Sequence, residues 1–234
     1  MNLIFLPYAG ANLNVYSELI EKFKKKHNFR CTVIEYPGHG KRFKEECLEN
    51  TNELVEDIFN KYFNDISKTE ELKIVGYSMG TLVGYELARK LVQKNYYVSQ
   101  LLLCAGIPPH KIEYDKSIEK DKQVLLNKIM TYGILTEETL KNEEVRKTFL
   151  PKLKSDILLV NNFNRFNGYK LNKIDSSVKV DFFYGINDLT MKYVNDWKKV
   201  SDNDVIIHSS NGGHFFLFDD PKKNNIVIEK ILFK

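Results

Sequence analysis

Apolar residues in this chain fall into short unbroken runs, and the stretches between them repeat their apolar positions at helical spacing. The run Asn2 to Leu6 predicts a strand, and Pro7-Tyr8-Ala9-Gly10-Ala11 a loop opening a helix over Val15 to Lys26. Cys31 to Tyr36 predicts a second strand, stopped by Pro37-Gly38-His39-Gly40, because proline and glycine punctuate a ladder. A helix is expected from about Asn52 to Phe63, a third strand over Lys73 to Gly76 and a fourth over Gln100 to Ala105. Between those two strands Val83, Leu87 and Leu91 recur every four residues, the stripe of a helix lying on a sheet. Val178 to Tyr184 and Asp204 to His208 supply a fifth and a sixth strand, and Asn225 to Phe233 closes the chain as a helix rather than a strand. Short, wholly apolar strands separated by helical patterns imply an α/β class with a mostly parallel sheet covered on both faces.

The segment 107–177 breaks this rhythm. It is too long for a strand-to-helix connection and carries helical patterns of its own, at Lys122 to Tyr132 and Glu137 to Leu153. We read it as a helical insertion within one domain spanning residues 1–234, placed to act as a lid over the sheet's C-terminal edge. Its apolar positions Val124, Leu125, Ile129, Met130, Ile134 and Leu135 suit a pocket wall and internal packing equally. Neither internal repeats nor a low-complexity linker mark a second domain.

Composition narrows the classes. A chain of 234 residues that is 43% hydrophobic buries a full core. Met1 leads directly into Leu3-Ile4-Phe5-Leu6 with no basic leader or cleavage site, and no apolar run is long enough to span a bilayer, so a cytoplasmic protein without a membrane partner is expected. Cys31, Cys47 and Cys104 are widely spaced and suggest neither a disulfide framework nor a metal site. The net charge of +4 comes from scattered lysines rather than a basic stripe interleaved with aromatics, which speaks against nucleic acid and leaves room for an acidic protein partner.

The chemistry is carried by Gly76-Tyr77-Ser78-Met79-Gly80, a G-x-S-x-G sequence between a predicted strand and a predicted helix. In that context it reads as a nucleophile elbow, with Ser78 held exposed at the sheet edge and the Met79 N–H at a helix N-terminus, able to stabilise an oxyanion. A serine nucleophile needs a base. In the α/β-hydrolase fold the order is serine, acid, histidine. His214, after the turn Asn211-Gly212-Gly213, satisfies that order; His39 is the stronger rival but precedes Ser78, and His27, His110 and His208 read as surface or core residues. Asp188, just past the fifth strand, is the best-placed acid, ahead of Asp175, Asp181, Asp196, Asp202 and Asp204.

Together these residues carry a resemblance. Leu6-Pro7-Tyr8-Ala9-Gly10 resembles F-P-x-A-G, Tyr36 to Arg42 resembles Y-P-G-R-G-x-R, and the elbow resembles G-H-S-M-G and continues into Tyr85-Glu86-Leu87-Ala88-Arg89. Leu150 to Asp156 resembles L-P-x-L-R-A-D, and Gly212 to Leu217 resembles G-G-H-F-F-L. These are the motifs of the type II thioesterases of nonribosomal peptide and polyketide synthesis. The resemblance implies a stand-alone hydrolase that removes acyl groups from the phosphopantetheine arm of carrier proteins to clear stalled assembly lines. It implies Ser78 as nucleophile, His214 as base, Asp188 as its partner, the Ala9 and Met79 N–H groups as oxyanion donors, no metal and no bound cofactor. It also makes Lys152 and Lys154 candidate contacts to acidic carriers. The chain departs from the pattern at Ala11, at His39 in place of arginine, at Leu189 in place of proline, and at Tyr77 in place of histidine, whose side chain is expected to stay clear of the chemistry. A general carboxylesterase or acyltransferase would share the triad, and a non-catalytic binding protein would share the scaffold; a serine-reactive phosphonate distinguishes the latter, since it would not be labelled.

Overall fold

The computed structural model describes residues 1–233, the Leu13 side chain excepted. The chain runs β1 (Asn2–Leu6), α1 (Ser17–Lys24), β2 (Arg30–Val33), α2 (Thr51–Tyr62), β3 (Leu72–Tyr77), α3 (Met79–Gln93) and β4 (Val98–Cys104). It continues through α4 (Lys116–Lys120), α5 (Lys122–Thr131), α6 (Leu150–Asn167), β5 (Lys179–Gly185), β6 (Val205–Ser210), α7 (Phe216–Asp219) and α8 (Pro221–Phe233). The strands form one sheet in the order β2-β1-β3-β4-β5-β6, with every pairing parallel. No helix among the described residues is long and apolar enough to cross a membrane.

The wholly apolar strands are explained by burial on both sides. Alternate side chains point to opposite faces. Ile4, Leu6, Ile74, Leu101, Leu103 and Phe182 pack with residues of α2, α3 and α6, whereas Leu3, Phe5, Val75, Leu102, Cys104 and Phe183 pack with residues of α1 and α8. Each fully buried aliphatic or aromatic residue contributes roughly 1.5–3 kcal/mol, and a one-residue slip would exchange the two faces, so the register is strongly fixed.

From β1 the chain turns to one side for β2 and to the other for β3, so the direction of winding reverses between β1 and β3. A crevice opens outside the C-terminal ends of strands at such a switch point. Leu6 pairs with Gly76 there, so the loop after β1 and the elbow after β3 emerge side by side.

The predicted elements hold with two corrections. The second strand ends at Val33 rather than Tyr36, because the Glu35 N–H turns away to the Tyr62 hydroxyl, 3.1 Å distant. The helix expected over Glu137 to Leu153 forms only from Glu143 onward. Thr136 Oγ1 accepts the Thr139 N–H at the head of a short 3₁₀ turn, and Asn142 Oδ1 accepts the Glu144 N–H, a cap that starts a new helical run at Glu143. A π-helical stretch over Val145–Phe149 leads directly into α6 at Leu150, and Pro151 stands just past that stretch. The helix then runs to Asn167, and its buried Asn161 and Asn164 bond the main chain at Asp115, Pro109 and Ile112, tying the insertion to its own start.

Candidate active site

Ser78 stands between β3 and α3 with φ 53° and ψ −112°, a conformation that costs a non-glycine residue about 1–3 kcal/mol. Several contacts hold it there. The Ser78 N–H donates to the Cys104 carbonyl at 2.8 Å, and Thr81 Oγ1 donates to the same carbonyl at 2.7 Å. The flanking glycines are steric requirements: a Cβ at Gly76 would lie 2.1 Å from the Gly80 carbonyl oxygen, and one at Gly80 would lie 2.1 Å from that of Leu6.

The three residues named from chain order meet at this edge. Ser78 Oγ lies 2.9 Å from His214 Nε2, and His214 Nδ1 lies 2.8 Å from Asp188 Oδ2. A carboxylate only accepts, so Nδ1 carries the proton and the Nε2 lone pair faces the serine hydroxyl. Two loops set this distance. The Ile186 N–H donates to the Ser210 carbonyl and the Asn187 N–H to that of Gly212, which lace the loop after β5 to the loop after β6. Asp188 and His214 are both buried. Burial acts to raise the Asp188 pKa, but hydrogen bonds from His214 and Thr190 and the charge of His214 outweigh it and hold the carboxyl below its usual range.

Two contacts lay outside the sequence reading. Thr190 donates both its N–H, at 2.9 Å, and its hydroxyl, at 2.7 Å, to Asp188 Oδ1, which leaves Oδ2 for the imidazole. The Asp-x-Thr spacing is the available signal, since short polar side chains commonly bond two residues on. Tyr77 bonds none of the triad's side-chain atoms, but its buried hydroxyl donates to the His214 carbonyl at 2.6 Å, so it braces the imidazole-bearing loop from beneath. Leu189 is exposed and lines the cavity, and Asp188 before it reaches His214 Nδ1.

Three of the competing histidines are paired elsewhere, His39 with Asp156, His208 with Asp181 and His27 with Glu229, while neither ring nitrogen of His110 has a hydrogen-bond partner among the described residues.

Ser78 opens onto a cavity of about 250 Å³. Leu82, Ile112, Ile118 and Ile157 form its buried apolar wall, and the exposed Glu113, Lys128 and Lys192 mark its mouth. Ala9 and Met79 line it beside the serine, and among the described residues their main-chain N–H groups make no hydrogen bond within the protein. The apolar positions of the insertion divide: Leu125, Ile129 and Leu135 are core, while Ile134 faces the cavity with Thr131 and Tyr132. Tyr132, Tyr77 and Phe215 surround the His214 ring at centroid distances of 5.1, 6.3 and 5.3 Å. Among the described residues no cluster of side chains could hold a metal ion.

Comparison with known proteins agrees with this arrangement. The family model described as "Thioesterase domain" matches residues 1–233. Thioesterase PikA5 of Streptomyces venezuelae is 25% identical over 94% of this chain and 76% of its own. The medium-chain S-acyl fatty acid synthase thioesterase of Anas platyrhynchos is 28% identical over 98% of this chain and 90% of its own. The solved structure of YbtT, a type II thioesterase from the yersiniabactin NRPS/PKS biosynthetic pathway, superposes with a TM-score of 0.79 over 98% of this chain and 91% of that one. At 18% identity that likeness establishes the shared α/β-hydrolase fold. With the family match running from the first strand to the last helix, this chain belongs to the thioesterase domain family.

Proposed function

We propose that this protein is a type II thioesterase that hydrolyses acyl thioesters presented on the phosphopantetheine arm of carrier proteins. The observation that carries the reading is the hydrogen-bonded relay from Ser78 through His214 to Asp188 at the floor of an apolar cavity. His214 removes the hydroxyl proton as Ser78 attacks the thioester carbonyl, and the Ala9 and Met79 N–H groups receive the oxyanion. The protonated imidazole, balanced by Asp188, then protonates the departing thiolate. In the second half His214 activates water, which cleaves the acyl-serine ester and releases the free acid. The buried apolar wall takes the acyl chain, and the insertion covering it excludes water from the first half-reaction.

Assignment to carrier-bound substrates is supported by the relatives named above, which serve polyketide, nonribosomal peptide and fatty acid systems. A groove lined by Tyr8, Phe149, Phe215 and Phe218 shares Ala9 and Ile134 with the Ser78 cavity, and we assign it to the arm. Lys152 and Lys154 of α6 offer positive charge toward an acidic carrier.

The test is a panel of acyl-carrier and acyl-pantetheine thioesters, short and long, with wild type and Ser78→Ala side by side. Wild type hydrolyses the thioesters and the variant loses at least about 10³-fold. Hydrolysis confined to oxygen esters would instead mark a general carboxylesterase.

A further inference from the structure

We propose that His39 works as an imidazolium clamp that, through Asp156, holds the loop bearing the Ala9 N–H in its oxyanion-binding position. The inference rests on the thioesterase reading above. His39 Nδ1 lies 3.0 Å from the Pro37 carbonyl oxygen, and Nε2 lies 3.0 Å from Asp156 Oδ2. Both partners are acceptors, so both contacts are hydrogen bonds only when both ring nitrogens carry protons. A neutral ring must lose one of them, turning a lone pair toward an oxygen.

The other claim on that carboxylate gives the pair its purpose. Asp156 Oδ2 also accepts the Gly10 N–H, at 2.7 Å. This fixes the peptide directly after Ala9, which lines the cavity with Ser78 and whose own N–H makes no hydrogen bond among the described residues. One buried oxygen of α6 thus ties the loop after β1 to the loop after β2. When His39 loses its charge, the remaining N–H must hold a carboxylate buried without a counter-charge, and the anchor weakens.

The surroundings leave His39 as the titrating member. Burial acts to lower its pKa, but the hydrogen bond and charge of Asp156 and the Pro37 carbonyl outweigh burial and the opposing charge of Lys152, so the value is raised. Tyr36 beside the ring and Cys47 against Gly38 are both pushed up by burial. Glu35 accepts the Lys41 N–H, and Arg42 is paired with Asp57 and Glu45. The clamp is therefore intact at low pH and is lost as pH rises through the raised His39 value, above the ordinary 6.5.

Two measurements decide the matter. In kcat against pH, wild type falls by about tenfold on the alkaline side, His39→Gln is about tenfold low at neutral pH with KM little changed, and His39→Arg, whose charge persists, restores activity without the alkaline fall. An alkaline fall unchanged in His39→Arg, or a wild-type kcat in His39→Gln, would overturn the clamp. NMR of the wild-type protein supplies a readout that needs neither substrate nor a variant: the Gly10 amide proton shifts with the His39 ring, at a midpoint above 6.5. A Gly10 amide indifferent to that titration overturns the clamp even if the enzyme is active. Absence of all thioester hydrolysis overturns the functional reading, and the Gly10 amide then still decides whether the clamp exists.

Discussion

Tyr77→Phe removes one hydroxyl and leaves the ring, so its consequences can be worked from a single contact. The hydroxyl donates to the His214 carbonyl at 2.6 Å, and Tyr77 is 0% exposed. Deleting the donor strands a buried carbonyl, a loss of about 1–3 kcal/mol. For a chain of this length each kcal/mol lowers Tm by about 2–4 °C, so a fall of about 2–12 °C is expected by calorimetry or circular dichroism. The same carbonyl belongs to the residue whose Nε2 must reach Ser78, and small misplacements of a catalytic group are expensive in rate. We expect kcat to fall about tenfold. KM should be nearly unchanged, because Tyr77 does not line the acyl cavity. A variant with wild-type Tm and wild-type kcat would refute the bracing role, and a change confined to KM would place Tyr77 in substrate binding instead.

Other substitutions probe other links. Asp188→Asn should lower kcat by about 10⁴-fold in the thioester assay, because the amide no longer fixes the Nδ1–H tautomer. Since the Asp188 carboxyl is held below its usual range, the stability it contributes is present above about pH 4 and disappears as pH falls through the lowered value. The Tm gap between wild type and Asp188→Asn should therefore close in acid. Gly80→Ala drives a methyl group into the Leu6 and Pro7 carbonyl oxygens, at 2.1 and 2.7 Å, and should destabilise the fold by more than about 4 kcal/mol or abolish soluble expression. Ile157→Phe narrows the buried wall of the cavity and should shift kcat/KM toward shorter acyl chains by about 10-fold or more per excluded methylene pair, read from a chain-length series. An unchanged chain-length profile would remove Ile157 from the acyl pocket.

What could be read from the sequence was what is local. The strands are continuous apolar runs because both faces are buried, and the elbow is a compact sequence whose glycines answer contacts a few ångströms away. Ser78, Asp188 and His214 could be singled out because a parallel sheet delivers its strand ends, and so their loops, to one edge. The insertion resisted the same treatment. Glu137 to Leu153 has the composition of one helix, yet Asn142 caps a new start within it, and only the part from Glu143 onward is continuous with α6. The contacts of Tyr77 with the His214 carbonyl and of His39 with Asp156 span 137 and 117 residues, and no pattern along the chain announces such a meeting. The Thr190 contact is local by comparison, since an aspartate side chain readily accepts from the residue two places on.

The most direct test is to mix the protein with an acyl-carrier thioester, quench in acid within the first turnovers, and map the acyl mass onto peptides. The account predicts acyl ester on the peptide containing Ser78 in wild type and none in Ser78→Ala. Undiminished hydrolysis by Ser78→Ala, or an acyl group carried on any other residue, would contradict it.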